Sequence, residues 1–123
     1  MNQVIHFEVG QVWKFINRIG EEKSTLTILK VDDEVSGKIV HIRVDGISIV
    51  NPAGILTHEL LHLPFSITAL EDSVTELINQ VNELPEFLNG YEHWKSAFDE
   101  GKAGVWKLPV HEVVEAIGSM SGV

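Results

Sequence analysis

His58-Glu59-Leu60-Leu61-His62 fits the HExxH pattern of zinc metallopeptidases. On a helix, side chains four apart share a face. Both imidazoles could then bind one Zn²⁺ while the glutamate between them takes a proton from the metal-bound water. The pattern therefore names His58 and His62 as metal ligands and Glu59 as the general base of a hydrolase. A catalytic zinc also wants a third protein ligand. The extended form of the motif would place Gly three residues after the second His and another His three beyond it, and the chain has Phe65 and Thr68 there. Glu71, His93, Glu112 and Glu115 remain as donors, none at an identifying spacing. His111 and Glu115 are also four apart on an expected helix and read more simply as an exposed helix pair.

The element that carries the motif decides its meaning. Residues 52–62 can be read as a helix, with Asn51 as N-cap, Pro52 in the first turn and Pro64 ending the segment, although Gly54 weakens it. They can equally be read as a strand in which Leu56, His58, Leu60 and His62 alternate with Thr57, Glu59, Leu61 and Leu63. On a strand the two histidines no longer sit together as ligands.

The flanking sequence falls into two halves. Gln11–Ile16 and Thr25–Val31 are rich in β-branched and aromatic residues and are separated by a polar, Gly-containing loop. The run from Ile39 to Val44 alternates, with Val40, Ile42 and Val44 on one face and Ile39, His41 and Arg43 on the other. Asp45-Gly46 then predicts a tight hairpin into Ile47–Val50. From Ser66 the period changes. Ile67, Leu70, Val74, Leu77, Ile78 and Val81 form one helical stripe, capped by Ser66 and stopped at Leu84-Pro85. Pro85 opens a second expected helix with Phe87, Leu88, Tyr91, Trp94 and Phe98 on its stripe. Val105–Leu108 reads as a short strand, Pro109 opens a last helix carrying Val110, Val113, Val114 and Ile117, and the tail from Gly118 should fray. The expected fold is one α+β domain over residues 1–123. An N-terminal antiparallel curled sheet or small SH3-like barrel (1–63 mainly β) is covered by two to three C-terminal helices (66–118 mainly α).

Several of these segments together carry a resemblance: Gly10–Phe15, Ser24–Val31, Val40–Gly46, His62-Leu63-Pro64-Phe65 with Ser73–Leu77, and Gly101–Val105. In them the chain resembles a small bacterial protein family of about this length with no known activity. The resemblance implies a bacterial single-domain protein. It does not require His58-Glu59 and attaches no cofactor or catalytic residue.

Composition narrows the functional classes. Eighteen acidic residues against nine basic ones give a formal net charge of −9. Such a field repels phosphate backbones and anionic lipid, so neither nucleic acid nor a membrane surface is expected as partner. The absence of cysteine excludes disulfides, thiolate metal sites and thiol nucleophiles. The opening residues lack the basic and apolar regions of a secretory leader, and no apolar run approaches the roughly 20 residues of a membrane span, so a cytoplasmic protein is expected. No serine stands in a nucleophile elbow, and Gly101–Gly104 lacks the Lys of a phosphate loop. Trp13, Trp94 and Trp106 sit within apolar periods, and His6, His41 and His93 read as isolated histidines. The expectation is a non-enzymatic protein-binding or regulatory module without a cofactor, with a basic protein as possible partner. The alternative is a zinc-dependent metallohydrolase using His58, Glu59 and His62.

Overall fold

Val40, Ile42 and Val44 project from one side of a long strand and are wholly buried there. They form the centre of a computed structural model that describes residues 5–120. The elements are β1 (Gln11–Phe15), β2 (Thr25–Glu34), β3 (Gly37–Val50), β4 (Leu56–Ser66), α1 (Ile67–Glu71), β5 (Val74–Gln80), α2 (Leu88–Asp99) and α3 (Val110–Met120). The five strands form one antiparallel sheet in the order β4-β3-β2-β1-β5. The sheet is open, not a closed barrel, with β4 and β5 as its two edges. Ala69 and Leu70 of α1 and Val110, Val113 and Val114 of α3 close over the Val40 face, with Leu26, Ile28, Leu63 and Phe65 beside them. Helix α2 lies on the opposite face.

One register irregularity in β2 and plain alternation in β4 govern which side chains reach that second face. Along β2, Ile28 opposes Ile42, but the next pair is Lys30 with His41. The extra residue, Leu29, reverses the alternation, so Lys30 and Asp32 come to the His41 side and not the Ile28 side. Along β4, Leu63 opposes Ile42 on the core face, which turns its neighbour His62 to the side of His41.

Asp45-Gly46 is not a hairpin turn: β3 continues through it, the register with β4 slipping between Asp45 and Ile49. Gly46 has φ +80, and a Cβ there would lie 3.0 Å from the Ser24 Cα, so the glycine serves a bulge pressed against the β1–β2 loop. The hairpin closes instead at Asn51, whose Oδ1 accepts from the Ala53 and Ile55 N–H groups at 3.0 and 3.1 Å. Of the two possibilities for the motif segment, the strand is the one formed: residues 56–62 belong to β4 and residues 52–55 to the turn before it.

The helix expected over residues 67–81 forms only at its start. Ser66 caps α1 as expected, accepting from the Ala69 N–H at 3.3 Å, but the helix stops at Glu71. Buried Ser73 donates to the Ala69 carbonyl at 2.8 Å and accepts from the Val110 N–H at 2.9 Å, fixing the chain's exit. Val74–Gln80 then pairs with β1, giving that strand's second edge a hydrogen-bonding partner. The β-branched Val74, Thr75 and Ile78 fit an extended chain, and the demand for sheet pairing outweighs the helical spacing.

Further along, α2 begins at Leu88, not Pro85, and the short strand expected at 105–108 reduces to one parallel bridge between Trp106 and Phe65. That bridge covers the outer edge of β4 at its C-terminal end, with Ser66 and Trp106 exchanging backbone bonds at 2.9–3.0 Å with Trp106 and Pro64. Pro109 leads into α3 as expected, and the helix includes residues 118–120 of the tail expected to fray; residues 121–123 lie outside the described residues. Among the described residues no helix is long and apolar enough to cross a membrane.

Candidate functional site

The HExxH residues stand on β4, where each residue advances about 3.3 Å, so four positions separate His58 from His62 by roughly 13 Å of strand. Their surroundings differ accordingly. His58 is exposed and its Nδ1 lies 3.1 Å from the Ile47 carbonyl. Glu59 is exposed beside Arg43, at 3.9 Å. His62 turns inward to His41. Of the possible third ligands, His93 is exposed on α2 and Glu115 is paired with Arg18 at 2.7 Å, so it is not held by His111. Among the described residues no three His, Asp or Glu side chains converge in an arrangement suited to a metal ion. The residues present do not fit a zinc centre built on this motif.

What the fold does bring together is a chain of polar rings beneath α2. His41 is wholly buried, its Nε2 lying 2.9 Å from Asp32 Oδ2 and its Nδ1 2.9 Å from His62 Nε2. Tyr91 of α2 donates its hydroxyl proton to the same Asp32 oxygen at 2.8 Å, and Lys30 approaches the other at 3.2 Å. The Tyr91 and Trp94 rings stand nearly edge-on to His41, with centroids at 4.8 and 4.9 Å. Trp94 also donates its indole N–H to the Gly104 carbonyl at 2.9 Å, and Gly90 sits where any Cβ would touch His62 at 3.4 Å.

The electrostatics of this cluster are internally consistent. Burial alone would raise the Asp32 carboxyl, but hydrogen bonds from Tyr91, Lys30 and His41 together outweigh it and hold the group below its ordinary value. Burial lowers His41 against the opposing pull of Asp32. Burial, reinforced by neighbouring His41, pushes His62 down to about 4. Tyr91 is pushed up to about 12 by burial and by its bond to Asp32. At neutral pH the cluster is thus one carboxylate, two neutral imidazoles and a phenol.

A carboxylate–imidazole–imidazole chain can pass a proton; His41 in its middle is wholly buried, and His62 at its outer end is half-buried. Two cavities of about 330 and 370 Å³ lie beside the C-terminal end of α2, lined respectively by residues that include Ile39, Phe98 and Val105, and by Pro64, Trp94 and Gly104–Trp106. Neither is lined by His41, His62 or Asp32. The cluster is a hydrogen-bonded network, buried at His41, that joins three strands to one helix.

A second feature lies at the far edge of the sheet. Strand β5 pairs with β1 on one side, and no other described strand pairs with its outer side. Six of its seven residues are exposed, including Leu77 and Ile78, which alternation sends to opposite faces. Neither feature was legible from motifs, since Asp32, His41, His62 and Tyr91 come from four elements and β5 has the spacing of a helix. The buried His41 within an alternating strand was the one available signal.

No protein-family model, curated protein or solved structure matches the chain.

Proposed function

We propose that this chain is a non-enzymatic, cytoplasmic protein-binding module that receives an extended segment of a basic partner protein along the outer edge of β5. The observation that carries this reading is the open edge itself. An unpaired strand edge offers a row of backbone donors and acceptors, and natural proteins usually guard such edges with Lys, Pro, short length or a covering segment. The other edge strand, β4, has Pro64 and the Trp106 bridge. Strand β5 has seven residues, Val-Thr-Glu-Leu-Ile-Asn-Gln, with neither Lys nor Pro. An added strand would gain main-chain hydrogen bonds and would cover Leu77 on one face and Ile78 on the other.

Charge supplies the partner's chemistry. From Arg43 to Lys95 no Lys or Arg occurs, while Glu71, Asp72, Glu76, Glu83 and Glu86 accompany β5 and its connections. Lys14 of β1, opposite Glu76, is the neighbouring cation. A segment with apolar residues at alternate positions and Lys or Arg at its ends complements this edge in shape and charge, and the long-range part of that attraction speeds encounter. The alternative, a zinc-dependent metallohydrolase using His58, Glu59 and His62, draws no support from the placement of those three side chains.

Selection from a display library of random peptides tests the reading. Enriched peptides should alternate apolar residues and carry flanking Lys or Arg, should protect β5 amides from hydrogen exchange, and should associate more slowly as salt is raised. Enrichment without such protection, or association indifferent to salt, would remove the proposal.

A further inference from the structure

Helix α2 has no wholly buried side chain, whereas α3 buries Val110, Val113 and Val114 against the sheet. The two helices are therefore held by different forces. Helix α3 belongs to the apolar core. Helix α2 is held by Tyr91 on Asp32, by Tyr91 and Trp94 packed edge-on against His41, and by Lys95 at 3.4 Å from Glu34. A segment with few buried apolar contacts is where a protein opens locally before it unfolds globally.

The hydrogen bonds of the cluster are complete with both imidazoles neutral. Asp32, an ionised carboxylate, can only accept, so His41 Nε2 carries the proton shared with it. His41 Nδ1 is then the acceptor for the proton on His62 Nε2, 2.9 Å away. A second proton on His41 would oppose two donors at that distance unless His62 moved its own proton to Nδ1. In either case it would place a cation on a wholly buried ring that Lys30 and Lys95 already disfavour charging. A second proton on His62 would leave its bond to His41 but would put an imidazolium among the rings of His41, Tyr91 and Trp94. The carboxylates that face the pair are engaged: Asp32 of β2 by Lys30, His41 and Tyr91, and Glu34 of β2 by Lys95 of α2. Asp32, the carboxylate that would favour an added proton on His41, is already shared with Lys30 and Tyr91, and burial outweighs its pull.

We propose that His41 and His62, with Asp32 and Tyr91, form an acid-released latch that holds α2 on the sheet, so that protonation of the imidazoles undocks this helix while the α3 face stays folded. The latch is independent of strand addition at β5. Its direction follows from linkage. An exposed imidazole in the undocked state titrates near about 6.5, whereas docked His62 is held down at about 4 by burial and by His41. Above pH of about 6.5 the pair contributes no pH dependence. Between there and about 4 the undocked state alone takes up the His62 proton, so the docked-to-undocked ratio falls by up to about tenfold per pH unit, and the effect levels off below the docked value. Asp32, held low while docked, contributes little slope through most of that window and adds to it in the same direction only near its acid end.

Hydrogen exchange of the whole chain between pH 7.5 and 4.5, corrected for intrinsic rates, tests the latch. Protection of amides 91–99 should fall by about tenfold per pH unit below roughly pH 6.5 while that of amides 113–119 is maintained. His62→Gln keeps a side chain that can donate to His41 but cannot titrate, and should remove most of the slope. Tyr91→Phe, which keeps the ring and loses the bond to Asp32, should release α2 at higher pH. Simultaneous loss of protection in α2 and α3, or an unchanged slope in His62→Gln, would overturn the proposal.

Discussion

His41 Nδ1 lies 2.9 Å from His62 Nε2, and the two rings are nearly parallel at 13° with centroids 5.1 Å apart. Since Asp32 is held ionised by the bonds it accepts, this contact fixes both tautomers, with the proton on Nε2 of each ring. Nitrogen-15 spectra of the imidazoles at pH 7.5 should show that tautomer for both residues. A His41 protonated on Nδ1 would be incompatible with the polarity of the chain.

Removing the anchor should expose its cost. Asp32→Ala leaves His41 Nε2 and the Tyr91 hydroxyl without their partner in a buried site, and should destabilise the fold by about 3 kcal/mol. The transition in denaturant measures this. A loss under about 1 kcal/mol would mean that the two groups find other partners.

The two histidines of the HExxH motif should behave differently. His58→Ala removes an exposed ring with one backbone contact and should change stability by no more than about 0.5 kcal/mol. His62→Ala leaves a gap under Trp94 and should cost about 2 kcal/mol. Two ligands of one structural metal would instead lose comparable stability together. Equal losses, relieved by added zinc, would restore the metal reading.

Glycine at position 10 should be irreplaceable for β5. Its φ is +92, and a Cβ there would lie 2.5 Å from the Val81 carbonyl oxygen, at the point where Gly10 accepts the Val81 N–H at 2.8 Å. Gly10→Ala should therefore cost about 2 kcal/mol or more and should raise hydrogen exchange along β5 before the rest of the sheet. Uniform destabilisation with β5 still protected would place the strain elsewhere.

The sheet was legible where a strand's own alternation decides its structure. Val40, Ile42 and Val44 predicted their face, and Pro109 and the Val110 stripe predicted α3. Sequence periodicity misleads where a distant partner decides. Val74, Leu77, Ile78 and Val81 have helical spacing, yet β1 needs a neighbour and the segment becomes β5. Asp45-Gly46 has turn chemistry, yet the closeness of Ser24 makes it a bulge. The His41 cluster was hidden for the same reason. The extra residue at Leu29 reverses the side on which Asp32 appears, and Tyr91 lies 59 positions further along. Nothing local in the sequence announces a parity change that only register defines.

The exposed edge allows folding and binding to be separated. Leu77 and Ile78 are 46% and 43% exposed, so replacing either by Glu removes little buried apolar surface and should alter stability by no more than about 1 kcal/mol. The same changes put a carboxylate on each face of the strand that an added segment would cover. A partner segment apolar at those positions would have to desolvate that charge without an opposing group, and peptide affinity should fall at least tenfold, or about 1.4 kcal/mol. Thr57→Glu on β4, away from β5, serves as the control and should leave affinity unchanged. If the Leu77 and Ile78 variants keep both stability and affinity, the partner docks elsewhere. If they unfold, the edge is already covered within the molecule and is not free to receive a strand.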